Sequence, residues 1–264
     1  MHISLEGSTA LVSGSTAGIG FAMASGLARA GASVVLNGRE TARTEAAAQR
    51  IRAAIPDARV RGIAADLATA GGVAAVVADV PSIDILINNL GIFEIGDFFA
   101  TDDGDWSRFF ETNVMSGVRL SRAYLPGMLE RNRGRVIFVS SESALNVPAD
   151  TIHYGFSKTA QLAISRGLAK LTKGTAVTVN ALLPGPTLSD GVAAMLRPQA
   201  EATGRSLEEL AADFIKAHRS SSLLQRAATP DEVANLAVYL ASPQASATNG
   251  SALRVDGGVV ESIG

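Results

Sequence analysis

Tyr154 and Lys158 are the first residues of the sequence whose types and spacing suggest chemistry. Four residues apart on a helix, they would share one face, so the phenol and the ammonium group would point to one site. A phenol with its ordinary pKa of about 10 exchanges protons poorly at neutral pH, and a cation within about 4–6 Å lowers that pKa. The pair therefore suits proton transfer, although an isolated pair of this kind is more often a surface aromatic beside a solvated lysine.

Three glycines suited to holding a phosphate lie between the first predicted strand and the first predicted helix. The segment SGSTAGIG contains Gly14, Gly18 and Gly20. In such loops one glycine makes a tight turn, one lets the backbone approach a pyrophosphate, and one allows close packing of helix on strand. The first N–H groups of the helix then bind the anion, and we expect the hydroxyls of Ser15 and Thr16 to add donors. Such glycines can also serve the turn alone, but their place in the first βα unit favours nucleotide binding.

The end of the second predicted strand bears on the choice of nucleotide. An acid there binds the 2′-hydroxyl of NAD, whereas an arginine suits the 2′-phosphate of NADP. The segment LNGRE has no acid at Asn37 or Gly38, and Arg39 follows. We therefore favour NADP(H), with NAD(H) as the alternative, because Glu40 lies beside Arg39 and Arg39 could equally be a solvated residue at the helix entry.

Alternating strand and helix patterns position these residues. The predicted strands are 9–14, 33–38, 59–66, 83–89, 134–141, 176–185 and 251–258, and the predicted helices include 19–32, 41–55, 71–80, 106–131 and 154–171. Repeated βα units with right-handed crossovers give a parallel sheet covered by helices on both faces. The sequence thus predicts an α/β fold: a Rossmann-like, doubly wound, mostly parallel seven-stranded sheet in a single domain over residues 1–264.

Residues 186–226 interrupt the alternation with a polar, helix-forming insertion. Ser206 and Glu209 form a predicted capping box, as do Thr229 and Glu232 at the start of the last helix. Ligands of α/β proteins bind outside the carboxyl ends of the strands, so an insertion there is well placed to be a lid. A surface helix pair without function is the alternative.

Composition excludes several classes of function. With 23 basic and 25 acidic residues the formal charge is −2, which gives no electrostatic case for nucleic acid or an anionic membrane. There are no cysteines and only three scattered histidines, so we expect no disulfides and no metal site. The start of the chain lacks a basic segment followed by an apolar one, and the apolar runs are too short to span a membrane. We expect a cytoplasmic protein.

Further segments carry a family resemblance. AADL at 64–67, NNLG at 88–91, a serine 13 residues before the tyrosine, PGPTLS at 184–189 and RVDGG near the end occur in a fixed order along nearly the whole chain. Together with the loop and the Tyr-x-x-x-Lys pair, they resemble the single-domain branch of the short-chain dehydrogenase/reductase family. The sequence departs from the usual family pattern at Leu90, where alanine is typical, and at Ser189, where threonine is typical.

The resemblance implies a set of site residues. The implied catalytic residues are Asn113, Ser141, Tyr154 and Lys158, with Ser140 as the nearest rival of Ser141. The implied cofactor-binding residues are Gly14, Ser15, Thr16, Gly18, Ile19, Gly20, Arg39, Asp66, Leu67, Asn88, Gly91, Tyr154, Lys158, Pro184, Gly185 and Ser189.

The resemblance also implies a mechanism. A hydride would pass between the nicotinamide and the carbon of a small-molecule carbonyl or alcohol. Tyr154 would be the general acid/base, with Ser141 bonded to the substrate oxygen. Lys158 would lower the phenol pKa and hold ribose hydroxyls, and Asn113 would hold a water that links Lys158 to solvent.

Two features and several alternatives remain to be weighed. His153 should not share the face of Tyr154, because adjacent helical positions diverge by roughly 100°, so a structural or rim role is expected. Trp106, Phe109 and Phe110 should be buried in the core, or in a homo-oligomer interface of the tetramer or dimer that the resemblance implies. A catalytically silent nucleotide-binding protein and a methyltransferase are the rival functions. The substrate, whether oxoacyl thioester, sugar, steroid or small ketone, stays open.

Overall fold

The computed structural model describes residues 2–263, which are built around one sheet of seven parallel strands. In chain order these are β1 Thr9–Val12, β2 Ser33–Gly38, β3 Val60–Ala64, β4 Ile85–Asn88, β5 Arg135–Val139, β6 Thr178–Pro184 and β7 Ala252–Val255. They lie in the order β3-β2-β1-β4-β5-β6-β7. The strand patterns of the sequence are short apolar runs, as expected for strands buried on both faces, and β4 is buried at all four positions. The predicted seven-stranded sheet is confirmed and is parallel at every strand pair described.

Nine α-helices are described with the sheet. They are α1 Gly18–Arg29, α2 Thr41–Ala54, α3 Ala70–Asp79, α4 Asp103–Phe109, α5 Ser116–Glu130, α6 Ile152–Leu171, α7 Asp190–Thr203, α8 Leu207–His218 and α9 Pro230–Ala241. Two separate apolar cores form, one containing buried residues of α1, α2 and α9 and the other containing those of α3, α5 and α6. Helices therefore cover both faces of the sheet, as the doubly wound prediction requires.

The order of the strands creates a crevice beside β1. The chain moves outward from β1 through β2 to β3 and then returns to place β4 on the other side of β1. Loops that leave adjacent strands in opposite directions open a crevice at the carboxyl ends of those strands. The glycine-rich loop follows β1, and Asn88 ends β4, so both predicted motifs lie at this crevice.

The long predicted helix over 106–131 differs from the structure in two respects. Helix α4 begins earlier, because the Asp102 side chain accepts a hydrogen bond from the Asp105 amide and caps it. A π-helical turn, Phe110–Met115, then separates α4 from α5 and contains Asn113. Such turns insert one residue into a helix and often mark functional sites. Apolar periodicity gives no sign of the inserted residue.

The insertion over 186–226 is helical, as predicted. Ser189 caps α7, and Ser206 and Glu209 form the predicted capping box of α8. Thr229 and Glu232 form the second predicted box, at α9. The two insertion helices have a small apolar core of their own, centred on Leu196, Leu210 and Ala211. These two helices, α7 and α8, are called the lid helices below.

Candidate active site

Two cavities open at the carboxyl ends of the strands, one on each side of the glycine-rich loop. The arginine cavity, of about 210 Å³, is lined by Thr16, Arg39, Arg43, Asp66 and Leu67 among others. The tyrosine cavity, of about 370 Å³, is lined by Ile19, Tyr154, Lys158 and residues of the lid helices. The loop thus borders both spaces, which suits a ligand with two ends joined by phosphates.

The backbone of the glycine-rich loop requires its glycines. Gly14 and Gly18 have φ angles of 60° and 58°, in the left-handed region where glycine is favoured. A Cβ on Gly20 would lie 2.5 Å from the Gly14 carbonyl oxygen, so no side chain fits there. The Asn89 amide donates to the carbonyl oxygens of Ser13 and Gly14 at 2.9 Å each and holds the loop against the end of β4.

The prediction that the Ser15 hydroxyl faces the cofactor is wrong. Ser15 is fully buried; its hydroxyl donates to the Val12 carbonyl oxygen and accepts from the Asn37 amide. Its own amide donates to the Asn37 carbonyl oxygen. The hydroxyl is directed inward because it ties the loop to the neighbouring strand β2. Thr16, by contrast, lines the arginine cavity.

Asn88 also differs from its predicted place. Its side chain is buried and donates to the Ser121 hydroxyl of α5, and it lines neither of the two cavities. Alternate residues of a strand point to opposite faces, and Asn88 takes the face that packs on α5. The next residue, Asn89, lines the tyrosine cavity instead, and so does Gly91.

Tyr154 lies in the first turn of α6 with its ring against Phe93. The two rings are edge-to-face with centroids 5.0 Å apart. Burial raises the pKa of Tyr154 to about 12; the Ser141 hydroxyl opposes that rise, and the nearby Glu142 carboxylate adds to it. The phenol is therefore protonated at neutral pH, and its raised pKa is the opposite of the predicted net shift.

The Ser141 hydroxyl faces the Tyr154 phenol, whereas the Ser140 hydroxyl bonds to the backbone of α6. The Ser140 hydroxyl donates to the Lys158 carbonyl oxygen at 2.8 Å and so connects β5 to α6. Ser141 follows that residue at the end of the same segment, lines the tyrosine cavity and accepts a hydrogen bond from the Ser143 amide. Of the two serines, Ser141 is the one placed to contact a substrate oxygen beside Tyr154.

Lys158 reaches the cavity from one turn further along α6. Its side-chain nitrogen lies 5.5 Å from the centroid of the Tyr154 ring. It donates to the Val139 carbonyl oxygen at 3.0 Å and to the Gln161 amide oxygen at 3.4 Å. Burial lowers the pKa of Lys158 to about 8. The predicted pair is thus brought together, with the cation inside the protein.

Asn113 is held firmly in its π-helical turn. Its side-chain amide bonds to both backbone groups of Ile92 and donates to the Ser157 hydroxyl. Its main-chain carbonyl oxygen accepts a hydrogen bond from the Gln161 side chain. Gln161 also accepts a hydrogen bond from Lys158, so its side-chain amide connects the Asn113 backbone to the lysine. The sequence analysis missed Gln161, whose only signal is its place three residues after the lysine.

The end of β6 and the segment after it line the tyrosine cavity. The lining residues there include Pro184, Gly185 and Ser189. Immediately beyond, the Asp190 carboxylate accepts a hydrogen bond from the Gly18 amide at 2.6 Å. The lid helices are therefore attached to the glycine-rich loop through the first residue of α7.

The arginine cavity contains a second arginine that sequence analysis missed. Arg43 lies four residues after Arg39, on the first turn of α2, and both line the cavity. Glu40 lies between them, with its carboxylate 3.9 Å from the Arg43 guanidinium in an exposed ion pair. The available signal was the nearness of a second arginine in the sequence, since Arg39 itself precedes the helix.

His153 takes the structural role expected for it. Its ring is buried and lies edge-to-face against Phe109, with centroids 4.3 Å apart, and near Trp106 at 6.3 Å. Phe109 is fully buried, Trp106 is partly buried and Phe110 is exposed. The histidine therefore belongs to aromatic packing and lines neither cavity.

Comparison with known proteins identifies the family. A family model described as enoyl-(acyl carrier protein) reductase matches residues 14–260. The uncharacterized oxidoreductase YvaG of Bacillus subtilis strain 168 is 46% identical over 263 residues, with both chains covered in full. The chain belongs to the short-chain dehydrogenase/reductase family.

Other members of the family are similar over the whole length of this dehydrogenase/reductase. The D-β-hydroxybutyrate dehydrogenase of Cupriavidus necator is 32% identical over 260 residues, covering 97% of this chain and 99% of that protein. The structure of L-sorbose reductase from Gluconobacter frateurii, complexed with NADPH and L-sorbose, has a TM-score of 0.93 at 31% identity, with both chains covered in full. The protein is an oxidoreductase of this family, acting on CH–OH or C=O groups.

The residues present fit the dinucleotide that this family uses. Gly91 leaves open the space beside Lys158, because a Cβ there would come within 3.3 Å of the lysine nitrogen. The arginine cavity offers guanidinium groups and the Asp66 carboxylate to a nucleoside, and the tyrosine cavity offers Tyr154 and Lys158 to the reacting end. The glycine-rich loop between them leads into the start of α1, a suitable place for phosphates.

Metal-ligand groups and membrane-spanning helices can be assessed over residues 2–263. Between residues 2 and 263, no group of three or more histidine, aspartate or glutamate side chains is arranged to hold a metal ion. Over the same residues, the helices are all too short or too polar to cross a bilayer.

An acid from the segment that directly follows Ser141 also lines the tyrosine cavity. Glu142 is buried and pairs with Arg219 at the end of α8, the nitrogen and oxygen being 3.4 Å apart.

Proposed function

We propose that this protein is an NADP(H)-dependent carbonyl reductase, able to run in reverse as a secondary alcohol dehydrogenase. The observation that carries the proposal is the Tyr154 phenol, which faces Ser141 and has Lys158 near its ring, in a cavity beside the glycine-rich loop. No other cluster in the described part of the chain combines a proton donor, a hydroxyl and a buried cation in this way.

Each residue of the cavity has a role in the proposed reaction. NADP(H), when bound, supplies the hydride for carbonyl reduction. Ser141 donates a hydrogen bond to the substrate oxygen, where negative charge develops. Tyr154 gives its phenolic proton to that oxygen, and the charged Lys158 stabilises the phenolate that remains. Gln161 and the Val139 carbonyl oxygen hold the lysine in place.

At neutral pH, Tyr154 and Lys158 have the protonation states that carbonyl reduction requires. Tyr154, with a pKa raised to about 12 by burial, carries the proton that reduction consumes. Lys158, with a pKa lowered to about 8 by burial, is still mostly charged. Oxidation requires the phenolate, whose formation at neutral pH depends on the charges of Lys158 and of the oxidised nicotinamide.

Tyr154→Phe tests the proposed proton donor. We expect turnover to fall at least about 1000-fold, because the variant lacks the acid and general acid catalysis contributes up to about 10⁴-fold. NADPH binding, measured by calorimetry, should stay within about threefold. Tyr239→Phe in α9, remote from both cavities, is the matched control. Retained activity of Tyr154→Phe would exclude the tyrosine as proton donor.

The rival function, a catalytically silent nucleotide-binding protein, has its own test. It would be favoured if the wild type bound NADPH but reduced no ketone in a broad panel.

The preference for NADP(H) rests on Arg39 and Arg43 in the arginine cavity. Support comes from the L-sorbose reductase, which is described in complex with NADPH. Arg39→Asp should reduce the ratio of kcat/KM for NADPH over NADH by about 10- to 100-fold, because a charged contact to the 2′-phosphate is lost. Arg122→Asp, an exposed arginine of α5 outside both cavities, should leave the ratio unchanged. An unchanged ratio in Arg39→Asp would remove Arg39 from the site.

We also propose that the protein works in the cytoplasm as a homo-oligomer. The lack of cysteines supports a reducing compartment, and exposed aromatic rings in the segment before α4 and on α6 support self-association. The latter is argued with its test in the Discussion.

A further inference from the structure

Four large apolar side chains are exposed where they line the tyrosine cavity. Phe93 and Ile95, in the segment after β4, are 53% and 60% exposed. Met195 of α7 and Phe214 of α8 are 54% and 37% exposed. All four line the cavity and are called the apolar wall below. Covering apolar surface that faces water is favourable, and the group that enters a reaction cavity to cover it is the substrate.

Several polar side chains that line the same cavity are engaged within the protein. The Asn89 amide donates to two carbonyl oxygens of the glycine-rich loop. The Ser140 and Thr187 hydroxyls each donate to a backbone carbonyl oxygen, and the Ser189 hydroxyl accepts from a backbone amide as the cap of α7. These hydrogen bonds to the backbone account for the four polar groups without a role in binding hydroxyl groups of a substrate.

Away from Lys158, the charged residues that line the cavity neutralise each other. Glu142 pairs with Arg219 at 3.4 Å between oxygen and nitrogen, and the Ser143 side chain adds a hydrogen bond to the same carboxylate. A carboxylate, phosphate or ammonium group on the far part of a substrate would therefore find its counter-ion already paired. The cavity thus suits a substrate whose far part carries no charge.

Phe93 connects the apolar wall to the reacting groups. Its ring packs edge-to-face on the Tyr154 ring, with centroids 5.0 Å apart. A carbonyl oxygen held by Tyr154 and Ser141 therefore has the start of the apolar wall beside its substituents. The cavity, of about 370 Å³, must also accept the nicotinamide. It is at the small end of the range for ligand pockets, so a chain suits it better than a rigid polycyclic group.

We propose that the substrates are ketones with an extended hydrocarbon substituent, and that the apolar wall binds that substituent. This inference rests on the proposed carbonyl reductase activity and names the class of substrate. Hydroxylated ketones of the sugar type are the competing class. Their hydroxyl groups would exchange water for apolar side chains, which is unfavourable without a compensating hydrogen bond.

The test measures kcat/KM with NADPH along a series of ketones. The series is 2-butanone, 2-hexanone and 2-octanone, and erythrulose, with three hydroxyl groups, represents the competing class. We expect kcat/KM to rise about three- to fourfold per added methylene, because each methylene is buried against apolar surface. The value for erythrulose should be at least about tenfold below that for 2-octanone, since its hydroxyl groups gain no partner.

Two variants of the apolar wall test where the substituent lies. Met195→Gln keeps the length of the side chain but makes it polar, and Ile95→Thr keeps the branched shape. Each should lower kcat/KM for 2-octanone by about three- to tenfold and change that for 2-butanone by less than about twofold, because only the longer chain extends along the wall. Leu171→Gln, at an exposed apolar position of α6 that lines neither cavity, is the control and should change neither value.

Two results would overturn the inference and leave the proposed function intact. One is a wild-type kcat/KM that stays flat along the series or is higher for erythrulose than for 2-octanone. The other is an equal loss for 2-butanone and 2-octanone in both wall variants, which would assign the wall to packing of the lid helices alone. Failure of the wild type to reduce any ketone in a broad panel, despite NADPH binding, would overturn the proposed function itself.

Discussion

Lys158 lies inside the protein with its nitrogen bonded to the Val139 carbonyl and the Gln161 amide, and with 4% of its surface exposed. Two uncharged acceptors compensate only part of the hydration that an ammonium group loses on burial, and its pKa falls to about 8 for that reason. The buried lysine therefore reduces the stability of the fold at neutral pH.

That cost should depend on pH in a defined direction. An unfolded lysine has a pKa of about 10.4, so between pH 8 and that value the unfolded chain binds more protons and stability rises with pH. We expect the free energy of unfolding of the wild type, minus that of Lys158→Met, to rise by about 2 kcal/mol from pH 7 to pH 10. Urea titrations at several pH values measure it. The same difference for the exposed Lys170→Met should stay flat; a flat result for Lys158 would contradict its low pKa.

Residue types and spacing predicted which side chains come together, but they did not give the direction of every side chain. Tyr154, Lys158 and Ser141 do line one cavity, because helical spacing and strand ends place them at one edge of the sheet. Ser15 and Asn88 were misplaced because hydrogen bonds to β2 and to α5 determine where they point. Those partners are distant in sequence, so local pattern contains no trace of them.

At the scale of elements, the lid helices are attached to the site at two points. Asp190, the first residue of α7, bonds to the Gly18 amide, and Arg219 after α8 pairs with Glu142. The first contact places a carboxylate at the start of α1, where the phosphates of a dinucleotide are expected. The two helices are thus connected to both the glycine-rich loop and the segment that carries Ser141.

Asp190→Asn should tighten the binding of NADPH. The exposed carboxylate repels the cofactor phosphates, and its removal should lower Kd by about two- to fivefold at low ionic strength, with less effect at high salt. Calorimetric titration with NADPH measures the change. Asp231→Asn, in the first turn of α9 and outside both cavities, is the control. Weaker binding in Asp190→Asn would instead assign the carboxylate to holding the loop in its binding conformation.

Sequence pattern predicted the elements better than their irregularities. All seven strands were predicted from apolar runs, and the starts of α8 and α9 were predicted from capping boxes. β2 matched at both ends, and the other six strands have ends displaced by a few residues. The π-helical turn Phe110–Met115 was missed, because inserting one residue leaves the local composition helical. Its cause lies in tertiary contacts of Asn113 with Ile92 and Ser157.

At the scale of the whole molecule, one surface carries an unusual concentration of aromatic rings. Phe98 packs edge-to-face on Phe99 and on Trp106, and Trp106 packs on Phe156. These four residues are called the aromatic face. Phe99 is 92% exposed, and Phe98 and Phe156 are also exposed. Contiguous apolar surface of this kind is typical of an interface, and a second copy of this chain is the partner that the family resemblance implies.

Substitutions on the aromatic face should weaken self-association. We expect Phe99→Asp and Phe156→Asp each to shift the protein towards monomer, because a buried carboxylate in an apolar interface is strongly unfavourable. Size-exclusion chromatography with light scattering measures the mass across a range of concentrations. Leu171→Asp, at an exposed apolar position at the end of α6 outside that face, should retain the wild-type mass. A wild-type protein that is already monomeric would contradict the proposal.

The aromatic face also supplies an optical signal. Trp106 is the single tryptophan of the chain and lies within that face, 5.5 Å from Phe156 and 6.3 Å from His153 between ring centroids. Indole emission shifts to shorter wavelength when water is removed from around the ring. Dilution of the unlabelled protein should therefore move its fluorescence to the red as subunits separate.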